Sequence, residues 1–190
     1  SILIVGGMVA GTATSGALVQ DLLSTANFND AFGRTSQVSK AGRALIKALS
    51  ISRIRPKIAA IGLADNGAGV AASGTVAFTG TATAAGTILV YVDSIRNAAY
   101  SIAVSVGDTA ADLGILLETA IAANLDSPVT AVDTTGSVAL TAVNKGTQGN
   151  TIGLKYSGVV AGITTTLTGF ANGATDPVLT NLFDVIADNR

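Results

Sequence analysis

Apolar residues follow two rhythms along this chain. Near the start they come in short continuous runs, Ile2-Leu3-Ile4-Val5 closed by Gly6-Gly7 and Ile58-Ala59-Ala60-Ile61 inside Lys57–Leu63. Such runs predict strands buried on both faces, as in a parallel sheet. A second short strand is expected at Ala17–Val19. Ser24 to Phe32 reads as a short helix with Ser24 as N-cap and Gly33 as its stop. After Ser36, Val38, Ala41, Leu45 and Leu49 recur at helical spacing while Lys40, Arg43 and Lys47 form a neighbouring stripe, which predicts an amphipathic helix. Pro56 then leads into the second buried run. The opening 65 residues thus read as an α/β unit.

Composition shifts at Asp65-Asn66-Gly67-Ala68-Gly69, a flexible connection, and from Gly74 the rhythm becomes alternation. Val76 and Phe78 share one face, followed by the sets Ile88, Val90, Val92 and Ile102, Val104, Val106, which predict half-buried antiparallel strands. Asp108 or Thr109 caps a helix, with Thr109-Ala110-Ala111-Asp112 matching a capping box and Leu113, Leu116, Leu117, Ala120 and Ile121 as its buried stripe, and Pro128 follows its end. Strands resume at Val129–Val132, Val138–Val143 and Ile152–Tyr156, joined by turns at Thr135-Gly136 and Gly146–Asn150, with one more at Ile163–Leu167. Gly173 closes this part. Asp176 as N-cap and Pro177 at the first helical position start a final helix with Leu179, Leu182, Phe183 and Ile186 on its apolar side, expected to rejoin the first unit. The fold class is α+β: an α/β domain over residues 1–70 and 173–190, interrupted over 71–172 by a β-rich insertion that carries one helix.

Composition narrows the chemistry. With 190 residues, 48% of them hydrophobic, the chain has enough apolar surface for a core. It contains neither cysteine nor histidine. Disulfides, thiolate metal sites, Ser-His-Asp and Cys-His catalysis, the usual zinc sites and imidazole pH switches are therefore excluded. A net charge of -1 supplies no long-range field toward nucleic acid or an anionic membrane and little protection against self-association. Charged residues make up only 12%, against roughly 25% in a typical domain. Much of the surface is then Thr, Ser, Ala and Gly, or is covered by neighbours. The uncharged stretches Ser1–Gln20 and Asn66–Val92 are interrupted by Gly and Thr and lack the continuity of a spanning helix. No basic region precedes the first apolar run, so no signal peptide is expected. An opening without Met and an end at Arg190 suggest a fragment of a longer protein, trimmed by a trypsin-like protease.

Several motifs fall short of a site. Gly11-Thr12-Ala13-Thr14-Ser15-Gly16 has the glycine spacing of a phosphate loop but continues with Ala17 where the lysine is required, and Gly62–Gly67 continues with Ala68. Ser15 and Ser73 precede glycines without the G-x-S-x-G frame and without a candidate base. Asp93, Asp108, Asp112, Asp126 and Asp133 sit at expected turns and caps, and no calcium loop is present. A carboxylate pair assembled from distant positions remains the one enzymatic alternative. The marked charge feature is basic. Seven of the eleven Lys and Arg residues (Arg34, Lys40, Arg43, Lys47, Arg53, Arg55 and Lys57) lie in a window with no acidic residue. No aromatic occurs from Gly33 to Ala77, against single-stranded nucleic acid recognition. A solvated helix face and an interface meeting acidic residues of another subunit are the two readings of that window.

The segment from Thr81 to Leu154 reads as three strands, a helix and three strands, with GTATAAGT (from Gly80) at its front and KGTQGNTIGL (from Lys145) at its back. This order resembles the β-sandwich region of tail sheath proteins from contractile-tailed, Mu-like bacteriophages. Ile2-Leu3-Ile4-Val5-Gly6, Ala31-Phe32-Gly33-Arg34 and Asn172-Gly173-Ala174-Thr175-Asp176-Pro177 are similar to matching parts of the same family. The resemblance implies a subtilisin-like α/β portion without the protease triad, interrupted by a β-sandwich-like insertion. It also implies a structural subunit that stacks in rings around the tail tube and contracts to drive the tube through the host envelope during genome ejection. The implied partners are other sheath subunits, with tube and baseplate reached through parts outside this chain; no cofactor, metal, nucleic acid or membrane insertion is implied. The implied location is the virion, after assembly in the host cytoplasm. An immunoglobulin-like adhesion or cell-surface binding module is the alternative from the Thr/Gly-rich strands, although it requires neither the flanking α/β pieces nor the helix after Thr109.

Overall fold

The computed structural model describes residues 1–52, 56–92 and 99–178. Its contacts separate two compact units, Ser1–Gly69 with Thr175–Arg190, and Val70–Ala174. The expected helix side chains Leu179, Leu182, Phe183 and Ile186 lie outside the described residues, as do Arg53, Arg55 and Asp93.

In the first unit, strands β1 (Ile2–Gly7), β2 (Leu18–Val19) and β3 (Ile58–Leu63) form a sheet of order β1-β3-β2. β1 and β3 run parallel, with Ile2 opposite Ile58 and Gly7 opposite Leu63, because helices α1 (Thr25–Phe32) and α2 (Gln37–Ser50) provide the crossover between them. β2 is antiparallel to β3. Central β3 is largely buried, as its apolar run predicts. β1 is not: it occupies the edge, and Leu3 and Val5 remain 40% and 39% exposed on one face. An unbroken apolar run marks a strand but does not say how many faces are covered.

Serine caps start both helices. The Ser24 hydroxyl accepts the Asn27 N–H at 3.2 Å, and the buried Ser36 hydroxyl accepts the Ser39 N–H at 3.0 Å. Ser39 in turn donates to the Phe28 carbonyl at 2.6 Å, joining the helices through a buried bond. They pack tightly at Gly42, where a β-carbon would overlap the Phe28 ring. The buried line of α2 therefore runs through Val38, Ser39 and Gly42. Ala41, expected inside, is exposed. Phe28, Phe32, Val38, Leu22, Ile58 and Ala60 make up most of this unit's core.

The second unit contains β4 (Ala71–Gly80), β5 (Gly86–Val92), β6 (Ala99–Val104), α3 (Ala110–Ala123), β7 (Val129–Thr134), β8 (Ser137–Lys145), β9 (Leu154–Ser157) and β10 (Ile163–Ala171). The strands form two antiparallel sheets, of order β10-β4-β8-β7 and β6-β5-β9. Among the described residues, β5 and β6 alone stand between Thr81 and α3, since the preceding strand, β4, ends at Gly80. Val76 and Phe78, Ile88, Val90 and Val92, and Ile102 and Val104 point inward from alternate positions and share one core with Leu113, Leu117 and Ile121 of α3.

Two expected core positions are outside it. Val106 is 67% exposed because β6 ends at Val104 and the chain turns. Leu116 is 41% exposed, since Gly114 is the residue of α3 seated over the Asp133 carboxyl, where a β-carbon would overlap. At the C-terminal end of α3, the buried Tyr100 hydroxyl donates to Ser127 Oγ at 3.0 Å and accepts from Asn124 Nδ2 at 3.2 Å, while Ser127 donates to the Val129 carbonyl at 2.6 Å. That chain of bonds satisfies the buried hydroxyls and joins β6 and β7 to the helix end.

Two outcomes follow from the helix contacts. Gly42→Ala forces the Phe28 ring aside and is expected to lower stability by about 1–3 kcal/mol in urea unfolding. The Asp112 carboxylate accepts the Thr109 hydroxyl at 2.7 Å and the Thr109 N–H at 2.8 Å, and these two bonds hold its pKa below the ordinary value. Its contribution is therefore present above the unfolded carboxylate pKa and disappears as pH falls through the lower folded value. Asp112→Asn should destabilise the chain at neutral pH, and the difference from wild type in thermal melts should vanish in strong acid.

Candidate functional site

Among the described residues, the basic window is distributed over three places. Arg34 is exposed on the turn between α1 and α2, Lys40, Arg43 and Lys47 lie along α2 at spacings that share a stripe, and exposed Lys57 precedes β3. Arg43 is held down: its Nε donates to the Ser39 carbonyl at 3.4 Å and its Nη2 to the Arg34 carbonyl at 3.2 Å. The guanidinium thus ties the α1–α2 turn to α2. Arg34 and Lys40 also have partners. Exposed Lys47 carries the stripe to the last turn of the helix, where a cation faces the negative end of the helix dipole.

Lys57 borders a cleft of about 340 Å³ lined also by Asp21, Leu23, Ile46, Leu49, Ser50, Pro56 and Ile58. One carboxylate and one ammonium among apolar side chains do not make the carboxylate pair that the enzymatic alternative requires. Among the described residues, no group of three or more His, Cys, Asp or Glu side chains could hold a metal ion, and no helix is long and apolar enough to cross a membrane.

Residues that resembled chemical motifs are engaged in backbone bonding. Ser15 Oγ accepts the Ala64 N–H at 2.9 Å, tying the turn before β2 to the residue after β3. Asp108 accepts the Ser105 N–H at 2.7 Å, and Asp133 accepts the Gly136 N–H at 2.9 Å in the β7–β8 turn.

A feature not anticipated from the sequence closes the second unit. Val70 and Ala174 form an isolated antiparallel bridge, with N–H···O distances of 2.9 and 3.1 Å. The Val70 carbonyl also accepts the Gly146 N–H at 3.0 Å. Beside it, the Asn150 side-chain amide accepts the Gly173 N–H at 2.7 Å and donates to the Gly173 carbonyl at 2.9 Å, so a single side chain satisfies both backbone groups of one residue. Gly173 is buried, and a β-carbon there would run into the Gly146 carbonyl. Asn150 is presented by a 3-10 turn, Thr147–Thr151, whose Gly149 backs onto Ala72 of β4 and Ala142 of β8. The segments Gly146–Asn150 and Asn172–Ala174 thus act as two halves of one clasp. Turn composition was the sequence signal for each half, but it carried no information about their pairing.

No family model matches the chain. It is similar to the Mu-like prophage FluMu tail sheath protein of Haemophilus influenzae, with 34% identity over 182 residues, covering 93% of this chain and 36% of that protein. The chain therefore spans about a third of the length of the curated relative it matches.

Asn150→Ala removes both bonds to Gly173 and leaves a buried N–H without its acceptor. A loss of about 1–3 kcal/mol in denaturant unfolding is expected. Asn150→Asp keeps an acceptor for that N–H and should lose less.

Proposed function

We propose a structural, force-bearing role for this chain, which belongs to the phage tail sheath family over the segment it spans. The supporting observation is the 34% identity extending over 93% of the chain, through both compact units, to a tail sheath protein. In the proposed arrangement, subunits stack around the tail tube in an extended lattice whose interfaces are less satisfied than those of the contracted lattice. Contraction releases that difference as rigid-body subunit rotation, which drives the tube through the host envelope for genome ejection and needs no chemical step.

Residues 1–70 and 173–190 are assigned to a subtilisin-like α/β sheath domain, and 71–172 to a β-sandwich-like insertion carried by it as a rigid body. Neighbouring sheath subunits are the direct partners; contacts with tube and baseplate are made by parts of the protein outside this chain. The protein assembles in the host cytoplasm, acts as part of the virion and is not an enzyme.

The charge distribution favours the basic window as a subunit interface. Residues 1–69 with 175–190 carry eight basic and six acidic side chains, whereas residues 70–174 carry three basic and six acidic ones. Opposite charge excesses in two parts of the sequence suit a head-to-tail contact between copies, the geometry that generates rings and helical polymers. Lys40 and Lys47, with Arg34, Arg43, Arg53, Arg55 and Lys57, are the proposed positive side.

Electron microscopy of the complete gene product tests this reading. Tubes or stacked rings of regular diameter are expected; monomers at high concentration would contradict it. Lys40→Glu with Lys47→Glu, which spares the structural Arg43, should raise the concentration needed for assembly roughly tenfold and weaken its salt dependence. Unchanged assembly would remove these lysines from the interface.

A further inference from the structure

The chain contains two Asn-Gly pairs, Asn66-Gly67 and Asn172-Gly173, and the structure treats them differently. Asn-Gly is the dipeptide best suited to ring closure, because glycine leaves its own backbone nitrogen unobstructed. That nitrogen, once deprotonated, attacks the asparagine Cγ; the Cγ–Nδ2 bond breaks and ammonia leaves. Water then opens the succinimide at either carbonyl, giving aspartate or isoaspartate. No oxidant or further reactant is needed.

At Asn66 the requirements are met. Gly67 is exposed, a β-carbon on it would meet nothing within 4 Å, and its N–H has no acceptor among the described residues. The Ala68 N–H donates to Asn66 Oδ1 at 2.9 Å, which holds the side chain back over its own backbone and polarises the carbonyl to be attacked, while the leaving amide Nδ2 makes, among the described residues, only a long 3.5 Å bond to the Asp176 carbonyl. At Asn172 they are not. The Gly173 nitrogen that would attack is committed to Asn150 Oδ1 at 2.7 Å, its carbonyl is held by Asn150 Nδ2 at 2.9 Å, and the glycine is buried against Gly146. Asn172 itself sits at φ 66°, fixed there by the clasp that follows it.

We propose that Asn66 is a site of spontaneous deamidation and that the Asn150 clasp protects the chemically equivalent Asn172. Conversion at Asn66 places a new carboxylate beside Asp65 and, in the isoaspartate product, adds a methylene to the backbone just before Val70. Conversion at Asn172 requires the clasp to open first, so its rate reports local unfolding of the second unit. This inference stands apart from the assembly reading.

The test is to incubate the whole chain in warm, mildly alkaline buffer and follow both sites by peptide mapping, natively and in urea. Native conversion at Asn66 should exceed that at Asn172 by roughly tenfold or more, while urea brings the two rates together. Equal native rates, or an intact Asn66 where the urea sample converts, would overturn the proposal. Asn150→Ala should accelerate Asn172 several-fold and leave Asn66 unchanged, with Asn150→Asp, which retains the acceptor, in between. An Asn172 rate indifferent to both substitutions, with circular dichroism showing the chain folded, would remove the protective role. The native-against-urea comparison of the unmodified chain decides the first claim whatever the variants do.

Discussion

The second unit depends on one constraint: its first and last residues must meet. Val70 and Ala174 are over a hundred positions apart, yet they bond to each other, and β4 and β10, which follow and precede them, are neighbours in the same sheet. Nothing local enforces this. It is fixed by the Asn150 amide on Gly173, by the Gly146 N–H on Val70, and by β4 lying between β10 and β8. A unit whose ends are adjacent satisfies its own backbone and buries its own core, which is the condition for placing it within another domain without strain. Because the closing contacts join residues distant in sequence, they carry the largest loop-closure entropy of any in the unit.

The polar side chains serve the same end. Ser36, Ser39 and Ser127 are buried, and each is hydrogen-bonded to backbone. Asp108, Asp112 and Asp133 cap turns or a helix, and Ser15 secures the end of β3. In a chain with 12% charged residues and no histidine or cysteine, these assignments leave the basic window as the one concentrated charge feature. Even there Arg43 is partly committed to holding the α1–α2 turn. Residues that first suggest chemistry are, in place, fixing backbone geometry.

What the sequence revealed were the features governed by nearest neighbours. The caps Ser24 and Thr109 and the alternating faces of β5 and β8 depend on residues a few positions apart, and they stand where local chemistry predicts. Features governed by tertiary neighbours were misplaced. Ala41 and Leu116 have the right spacing for burial, but Gly42 and Gly114 hold those contact positions because Phe28 and Asp133 come too close for a larger side chain. The exposed face of β1 follows from its position at a sheet edge, which an apolar run does not encode. β10 runs past the expected Leu167 to Ala171 through an irregularity after Thr168, where Gly169 breaks the pattern of strand formers. For the candidate interface, the sequence gathered the charges into one window, but their division among the turn, α2 and the start of β3 is a property of the fold. The clasp was the least legible, since Asn150 looks like any turn asparagine until Gly173 is placed beside it.

Native-state hydrogen exchange of the backbone amides of Val70, Gly146, Gly173 and Ala174 tests the closure of the second unit most directly. If the clasp is integral to the unit, these amides exchange only as slowly as the buried pairs of β4 and β8, through cooperative unfolding. Exchange at the rate of an open loop, while β4 and β8 stay protected, would show that the unit holds together without the clasp and would contradict this account.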